Sequence, residues 1–388
     1  VASDSQTASS PDVATFTDSY LPTINGVTYT VETIRDRWRE RDNRMAVVYP
    51  DGDRTPDVGE YPIRSVRFPF YDGYRVSAPQ IPDAVLDVDL VHAHTPFGVG
   101  LAGLRLARRQ NLPFVVSYHT PTSEYISYLS AGVRLGRALR RLTRRYERWF
   151  LERADVVIVP SESTRQSVQD DLGVNTPVEL IPNGVDTRRF RPVDTQEFLA
   201  EHDLETAEPL VGYTGRHGYE KCLETILDAA ETLDVTVVFG GDGPAREELA
   251  EEATGRDGVD ARFLGFLDRD DLAAFYASLD VFLFPSPVET QGLVALEANA
   301  CGTPVVGADS GALATTIDDD VTGYQFDTGN VEEFRAKIRA ALQNQERLGK
   351  NCVARRDQTG VEHAMDRIES VYDRVEPYSS SSSAMRSS

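Results

Sequence analysis

The sequence predicts an α/β protein built from two doubly wound, Rossmann-like domains. Three observations lead there. Short apolar runs of strand length recur along the 388 residues, at 45–50, 113–117, 156–159, 235–239 and 281–284, and loops and helical stretches follow them. Parallel strands read this way because both of their faces are covered. The chain is long enough to bury two cores. Midway, Asn183-Gly184-Val185-Asp186 and then Arg191-Pro192 interrupt the alternation as a hinge, and a second β/α run begins at Leu210. The expected domains are 13–186 and 187–361, with disordered ends at 1–12 and in the Ser-rich 377–388.

The first domain opens with a short strand at 13–17 and a loop carrying Asp18, Tyr20, Asn25 and Gly26, followed by a helix from about residue 28 to 41. Asn25-Gly26 permits positive φ and close backbone approach, or is a plain turn. Residues 61–81 interleave Tyr61, Phe68, Phe70, Tyr71 and Tyr74 with Arg64, Arg67 and Arg75. That mixture suits a lipid–water interface, or an irregular loop packed on its own domain. His92 and His94 end a strand on one face. No neighbouring carboxylate or Cys completes a metal set, so no metal site is expected. The next strand delivers Tyr118 and His119. From 132 to 153, eight arginines alternate at helical spacing with Leu135, Leu139, Leu142, Tyr146, Trp149 and Phe150, an amphipathic helix with a basic face.

In the second domain a strand at 210–214 leads to Gly215-Arg216, with Lys221 before a helix expected at 222–232. These two cations sit at a strand-to-helix junction, where the bland reading is a surface pair. Gly240-Gly241-Asp242-Gly243 lacks the third glycine of a dinucleotide fingerprint, which disfavours a nicotinamide dehydrogenase. A strand is expected at 263–267. The most informative stretch is 280–311, in which a buried strand ends in Pro285 and Pro287, a loop carries Glu289, and a helix runs from Leu293 to Ala300. The N–H groups at about Gly292, Leu293 and Val294 make a phosphate-suited helix start. Glu297 lies roughly 7 Å further along the axis at ~1.5 Å per residue. The two carboxylates are thus staggered along a ligand, unless both simply favour a helix start.

The Glu289–x7–Glu297 pattern, with Thr-Gln-Gly-Leu after the first Glu and Cys-Gly-Thr-Pro-Val-Val after the second, resembles the signature of retaining family-4 glycosyltransferases. Asn183-Gly184-Val185-Asp186 resembles that family's interdomain turn. Residues 94–97 (His-Thr-Pro-Phe), 118–120 (Tyr-His-Thr) and 289–293 are most similar to the diacylglycerol glucosyltransferase-like branch. The resemblance implies the GT-B arrangement, two domains facing across a cleft, with a helix at 362–376 crossing back to the first. It implies that Arg216 and Lys221 hold the donor diphosphate and that Glu289 and His119 position the donor sugar. Glu297 would bind the ribose. Gly26 and the main chain of Gly292, Leu293 and Val294 would contact the phosphates and sugar, and Gly265, Phe266 and Leu267 the nucleobase. Asp18, Tyr20, Asn25, His94 and Tyr118 would face the acceptor. The nucleotide sugar is then a co-substrate, with no cofactor or metal.

Composition bounds the partners. The net charge is −22, and with only three lysines (Lys221, Lys337, Lys350) arginine supplies 37 of the 40 basic residues. Such chains resemble those of salt-loving microbes. A globally basic face for nucleic acid is excluded. Three widely spaced cysteines give no disulfide frame, and the polar opening residues lack a signal-peptide core, which leads to an expected cytoplasmic location. No apolar run approaches the ~18 residues of a membrane span. The expected activity is transfer of a hexose from a UDP-glucose- or GDP-mannose-type donor to a membrane lipid. The alternatives are a soluble glycosyltransferase making a polysaccharide or small glycoside, and a nucleotide-sugar epimerase on the same fold.

Overall fold

A computed structural model of the chain describes residues 10–23, 25–67, 75–119, 133–205 and 207–375, with the backbone alone for 133–140. The chain divides into two compact units, Val1–Pro182 with Ala364–Ser388, and Asn183–His363. In unit 1 the strands are β1 (Val13–Phe16), β2 (Met45–Pro50), β3 (Glu60–Ile63), β4 (Ser65–Arg67), β5 (Arg75–Ser77), β6 (Leu90–Ala93), β7 (Phe114–Ser117), β8 (Val156–Val159) and β9 (Val178–Leu180). Seven of them form one parallel sheet in the order β3-β2-β1-β6-β7-β8-β9. Unit 2 holds β10 (Leu210–Thr214), β11 (Thr236–Gly240), β12 (Asp260–Gly265), β13 (Val281–Phe284), β14 (Val305–Ala308) and β15 (Gly323–Phe326) in a parallel sheet ordered β12-β11-β10-β13-β14-β15. The central strands are buried along their whole length, as sheets covered on both faces require.

Strand order reverses between β1 and β6 in unit 1 and between β10 and β13 in unit 2. Crevices at such switch points, beyond the carboxyl ends of the strands, are where doubly wound sheets bind ligands. The residues delivered there are Asp18 and His94 in unit 1, and Arg216 and Glu289 in unit 2.

Four expectations change. Asn25 and Gly26 take no positive φ: Asn25 is extended (φ −162°), its Oδ1 accepts from Thr28 N–H, and Gly26 is the first residue of the helix Gly26–Glu40. Capping orphan helix donors accounts for the Asn better than turn geometry does. Lys221 ends a 3-10 turn, Cys222 follows in the left-handed region (φ 52°), and the helix begins only at Glu224. The strand expected at 263–267 stops at Gly265 (φ 73°), leaving Phe266 58 % exposed and Leu267 buried. In the helix Val133–Leu151 the basic face also carries Leu142 and Trp149, both exposed, while Glu147 turns inward with Phe150.

The final helix, Val361–Arg374, packs on unit 1 from Ala364 onward, with Tyr372 edge-on to Trp38 and Arg41 bridging Asp366 and Glu369 at 2.7 and 2.6 Å. Phe68, Phe70, Tyr71, Tyr74, Thr120, both chain ends and the side chains of Arg134, Arg137 and Arg140 lie outside the described residues. The aromatic stretch is flanked by β4 and β5, which pair antiparallel and place exposed Val66 opposite exposed Val76.

Candidate active site

At the switch point of unit 2 the chain brings two charges together from 68 residues apart. Lys221 Nζ lies 2.5 Å from Glu289 Oε1, with the two side chains 19 % and 13 % exposed. Partly desolvated, each holds the other's charge in place, and removing either would strand its partner. Arg216 precedes Lys221 in the same connection. It pairs with Glu220 at 2.5 Å, within the connection that leads from β10 to the helix starting at Glu224. Gly215 has φ 141°, and a Cβ at Gly241 would collide with the Gly215 carbonyl, so the β10 and β11 loops pack main chain to main chain. Gly265 O accepts from Gly241 N–H at 2.6 Å, which occupies a carbonyl expected to face a nucleobase.

Glu289 leads into Gly292, which takes φ 72° at the start of the helix Leu293–Ala300. A Cβ there would be strained by the backbone and would press on Leu313. The first intrahelical donor is Ala295 N–H, to Gly292 O, so the main-chain N–H groups of Leu293 and Val294 belong to the helix start. One turn on, Glu297 accepts a 2.7 Å bond from Tyr276 Oη, and burial pushes its carboxyl up to about 7. Tyr276 had no sequence signal, because it comes from another helix.

The switch point of unit 1 is chemically different. His94 Nδ1 and His119 Nε2 are 2.9 Å apart, and the His92 ring lies tilted against His94 with centroids 4.1 Å apart. His92 is held by Tyr372 Oη at 2.7 Å and Ser117 Oγ at 2.9 Å. Burial pushes His92 down to about 3, His119 to about 4 and His94 well below its ordinary value, so all three are neutral near pH 7. Because two of the rings bond each other and the third is bonded elsewhere, they do not converge on a common point. Among the described residues no group of three His, Cys, Asp or Glu is arranged to hold a metal. Tyr118 is buried and donates to Glu147 Oε1 at 3.1 Å, beside a cavity of about 30 Å³ also lined by His94 and His119.

Three residues expected at the acceptor serve the fold in this structure. Asp18 accepts from Val99 N–H at 3.0 Å and from Thr95 Oγ1 at 2.6 Å, capping the helix Gly98–Gln110, whose own N-cap residue Phe97 lacks an acceptor. Burial raises its carboxyl to about 6. Tyr20 turns into the core, where it donates to Glu60 at 3.0 Å within a buried network that Arg35 and Arg54 complete. Asn25 caps its helix and donates to Ser19 Oγ at 2.5 Å.

Two family profiles match the chain. "Glycosyltransferase Family 4" covers residues 24–189, and "Glycosyl transferases group 1" covers residues 194–355. Over 336 residues the chain is 30 % identical to alpha-monoglucosyldiacylglycerol synthase of Streptococcus pneumoniae, covering 81 % of this chain and 75 % of that enzyme. Over 296 residues it is 33 % identical to sulfoquinovosyl transferase SQD2 of Arabidopsis thaliana, covering 73 % of this chain and 56 % of that protein. HepE of Anabaena, solved with UDP-glucose, superposes with a TM-score of 0.74 at 19 % identity, over 94 % of this chain and 100 % of that one, which is a likeness of fold. The chain belongs to glycosyltransferase family 4 and has the two parallel-sheet α/β domains of the GT-B fold.

Proposed function

We propose that this glycosyltransferase moves a hexose from a nucleoside-diphosphate sugar, of the UDP-glucose or GDP-mannose type, to a membrane lipid, with retention at the anomeric carbon and without a metal ion. The observation that carries the donor side is the Lys221–Glu289 pair beside the Gly292 turn. When a diphosphate enters, Lys221 exchanges its carboxylate for phosphate oxygens, and Arg216 joins it from earlier in the same connection. The Leu293 and Val294 N–H groups add the partial positive charge of a helix start. Glu289, released from Lys221, accepts from sugar hydroxyls, and ionised Glu297 accepts from the ribose. Fixed cations then stabilise the leaving diphosphate as the glycosidic bond breaks. Neutral His119, held by His94, orients the sugar, and the leaving phosphate takes the acceptor proton on the same face.

The lipid acceptor draws support from the named activity of the pneumococcal relative and from a surface of unit 1. Leu142 and Trp149 are exposed among Arg141, Arg144, Arg145 and Arg148, with the Arg153 guanidinium 4.0 Å above the Trp149 ring. No helix among the described residues is long and apolar enough to cross a membrane. Contact of this basic, apolar face with the inner leaflet is the arrangement we propose. Mass spectrometry of lipid extract incubated with the chain, EDTA and a set of nucleotide sugars tests the whole reading. It should show a lipid gaining one hexose. Free sugar released without an acceptor, or products confined to soluble sugars, would overturn the lipid assignment.

A further inference from the structure

Gln291 stands between Glu289 and Gly292, yet its side chain points back into unit 2 and is buried. Its amide makes a two-way bond with the main chain of a residue 108 positions away: Oε1 accepts from Asn183 N–H at 3.0 Å, and Nε2 donates to Asn183 O at 2.8 Å. The opposite edge of the same loop is held at alternate carbonyls. Pro287 O accepts from Ser310 Oγ at 2.8 Å, Glu289 O from Ala312 N–H at 3.1 Å, and Gln291 O from Thr316 Oγ1 at 2.7 Å. Asn183 is the first residue of unit 2. Two residues on, Val185 N–H donates to Thr359 O and Val361 N–H to Val185 O, both at 2.9 Å, and a Cβ at Gly184 would collide with the Val361 main chain. The segments by which the chain enters and leaves unit 2 are therefore bonded side by side, and Gln291 joins the donor loop to them.

We propose that Gln291 is a positioning residue that fixes Glu289 and the Gly292 turn against the main chain of Asn183, so that a nucleoside diphosphate taken up at Lys221 and Gly292 also stiffens residues 183–185. The inference rests on the donor-site reading above. The side-chain chemistry is specific. A carboxamide offers one donor and one acceptor at the end of its reach, methionine of similar length offers neither, and an ionised glutamate would set an oxygen against Asn183 O.

Hydrogen exchange of the full chain with and without UDP or GDP tests it. In the parent, nucleotide should slow exchange both in residues 286–293 and in 183–185. In Gln291→Met the affinity for the nucleotide should fall roughly tenfold, the order for two lost buried amide bonds. At saturation the loop should still be protected while 183–185 are not. In Gln291→Glu the affinity deficit relative to the parent should narrow at pH 5 compared with pH 8, because the protonated carboxyl again donates and accepts. A purely structural role would lower the melting temperature and leave these readouts unmoved. Protection confined to the loop in the parent, or a Met variant that keeps both affinity and coupled protection, overturns the proposal. If neither nucleotide alters exchange in the parent loop, the donor-site reading itself fails and this inference fails with it.

Discussion

The two switch points share a topology and differ in their electrostatics. In unit 2 the groups at the carboxyl edge are charged and paired, Lys221 with Glu289 and Arg216 with Glu220, and remain partly exposed. In unit 1 three neutral imidazoles are pressed together and buried, and the carboxyl beside them, Asp18, is bound to the start of a helix. Charged groups that exchange partners suit a diphosphate, whose charge grows as the glycosidic bond breaks. Neutral hydrogen-bonding groups in a low-dielectric setting suit hydroxyls, which bring no charge. The difference teaches that a doubly wound sheet supplies a crevice, while the residues at two strand ends decide what enters it.

The largest expected effect breaks the charged site. Lys221→Ala should cost about 2.7–4 kcal/mol of barrier, by analogy with lost oxyanion donors, and should lower the melting temperature while the chain still folds, since Glu289 loses its partner. Steady-state kinetics within a few-fold of the parent would remove Lys221 from the reaction. Turnover should also survive EDTA, and loss restored by magnesium would replace the cation clamp with a metal.

Next come the histidines. His119→Asn should lower kcat roughly 10–100-fold, the scale of a misplaced positioning group. The parent's pH–rate profile should show no histidine limb between pH 5 and 8, since burial holds His92 and His119 at about 3 and 4. A limb near pH 6.5 that disappears in the variant would mean a solvated, titrating imidazole.

Glu297 gives an effect with a definite sign. Its carboxyl sits at about 7 against an ordinary 4.5, and ribose hydroxyls favour the ionised form. Donor affinity should therefore fall as pH drops from 8 to 6 in the parent and stay flat in Glu297→Gln. For stability the sign reverses. The raised value means a contribution fully present below pH 4.5 and lost as pH rises through 7. Unfolding titrations should find the Gln variant gaining on the parent toward pH 8, by up to about 3 kcal/mol.

The last contrast concerns the basic face. Changing Arg141, Arg144 and Arg145 to Gln should weaken sedimentation with anionic vesicles by about 1 kcal/mol per residue in dilute buffer. At molar salt, where the screening length is about 3 Å, it should matter little. Replacing Phe68, Phe70 and Tyr71 by Ser should abolish the binding that persists there, because apolar burial is not screened. Binding that vanishes with salt alone would favour a soluble acceptor.

Much of this architecture was legible in the sequence. The helix after Glu289 runs over Leu293–Ala300 as the pattern indicates, because a proline-bounded strand before it and Cys301-Gly302 after it leave little choice. The pairing of Lys221 with Glu289, of Glu297 with Tyr276 and of Tyr118 with Glu147 was not legible. Each joins elements that are sequence-distant, and a strand's register says nothing of which side chain from another helix reaches it. The inward turn of Tyr20 was hidden for a related reason. An aromatic in a polar loop reads as a surface residue until the buried Glu60 that accepts its hydroxyl is known. Glu147 was hidden by its charge, since hydrophobic periodicity assigns such a residue to the solvent face.

The contrast between the two switch points is tested most directly by calorimetric titration of UDP and GDP into Lys221→Ala and His119→Asn. If charge in unit 2 holds the nucleotide, the lysine variant should bind the preferred nucleotide at least tenfold more weakly than the parent, and the histidine variant within about twofold, since neither nucleotide carries the sugar that His119 orients. Equal loss in both variants, or a loss confined to the histidine variant, would contradict the assignment of the diphosphate to Lys221.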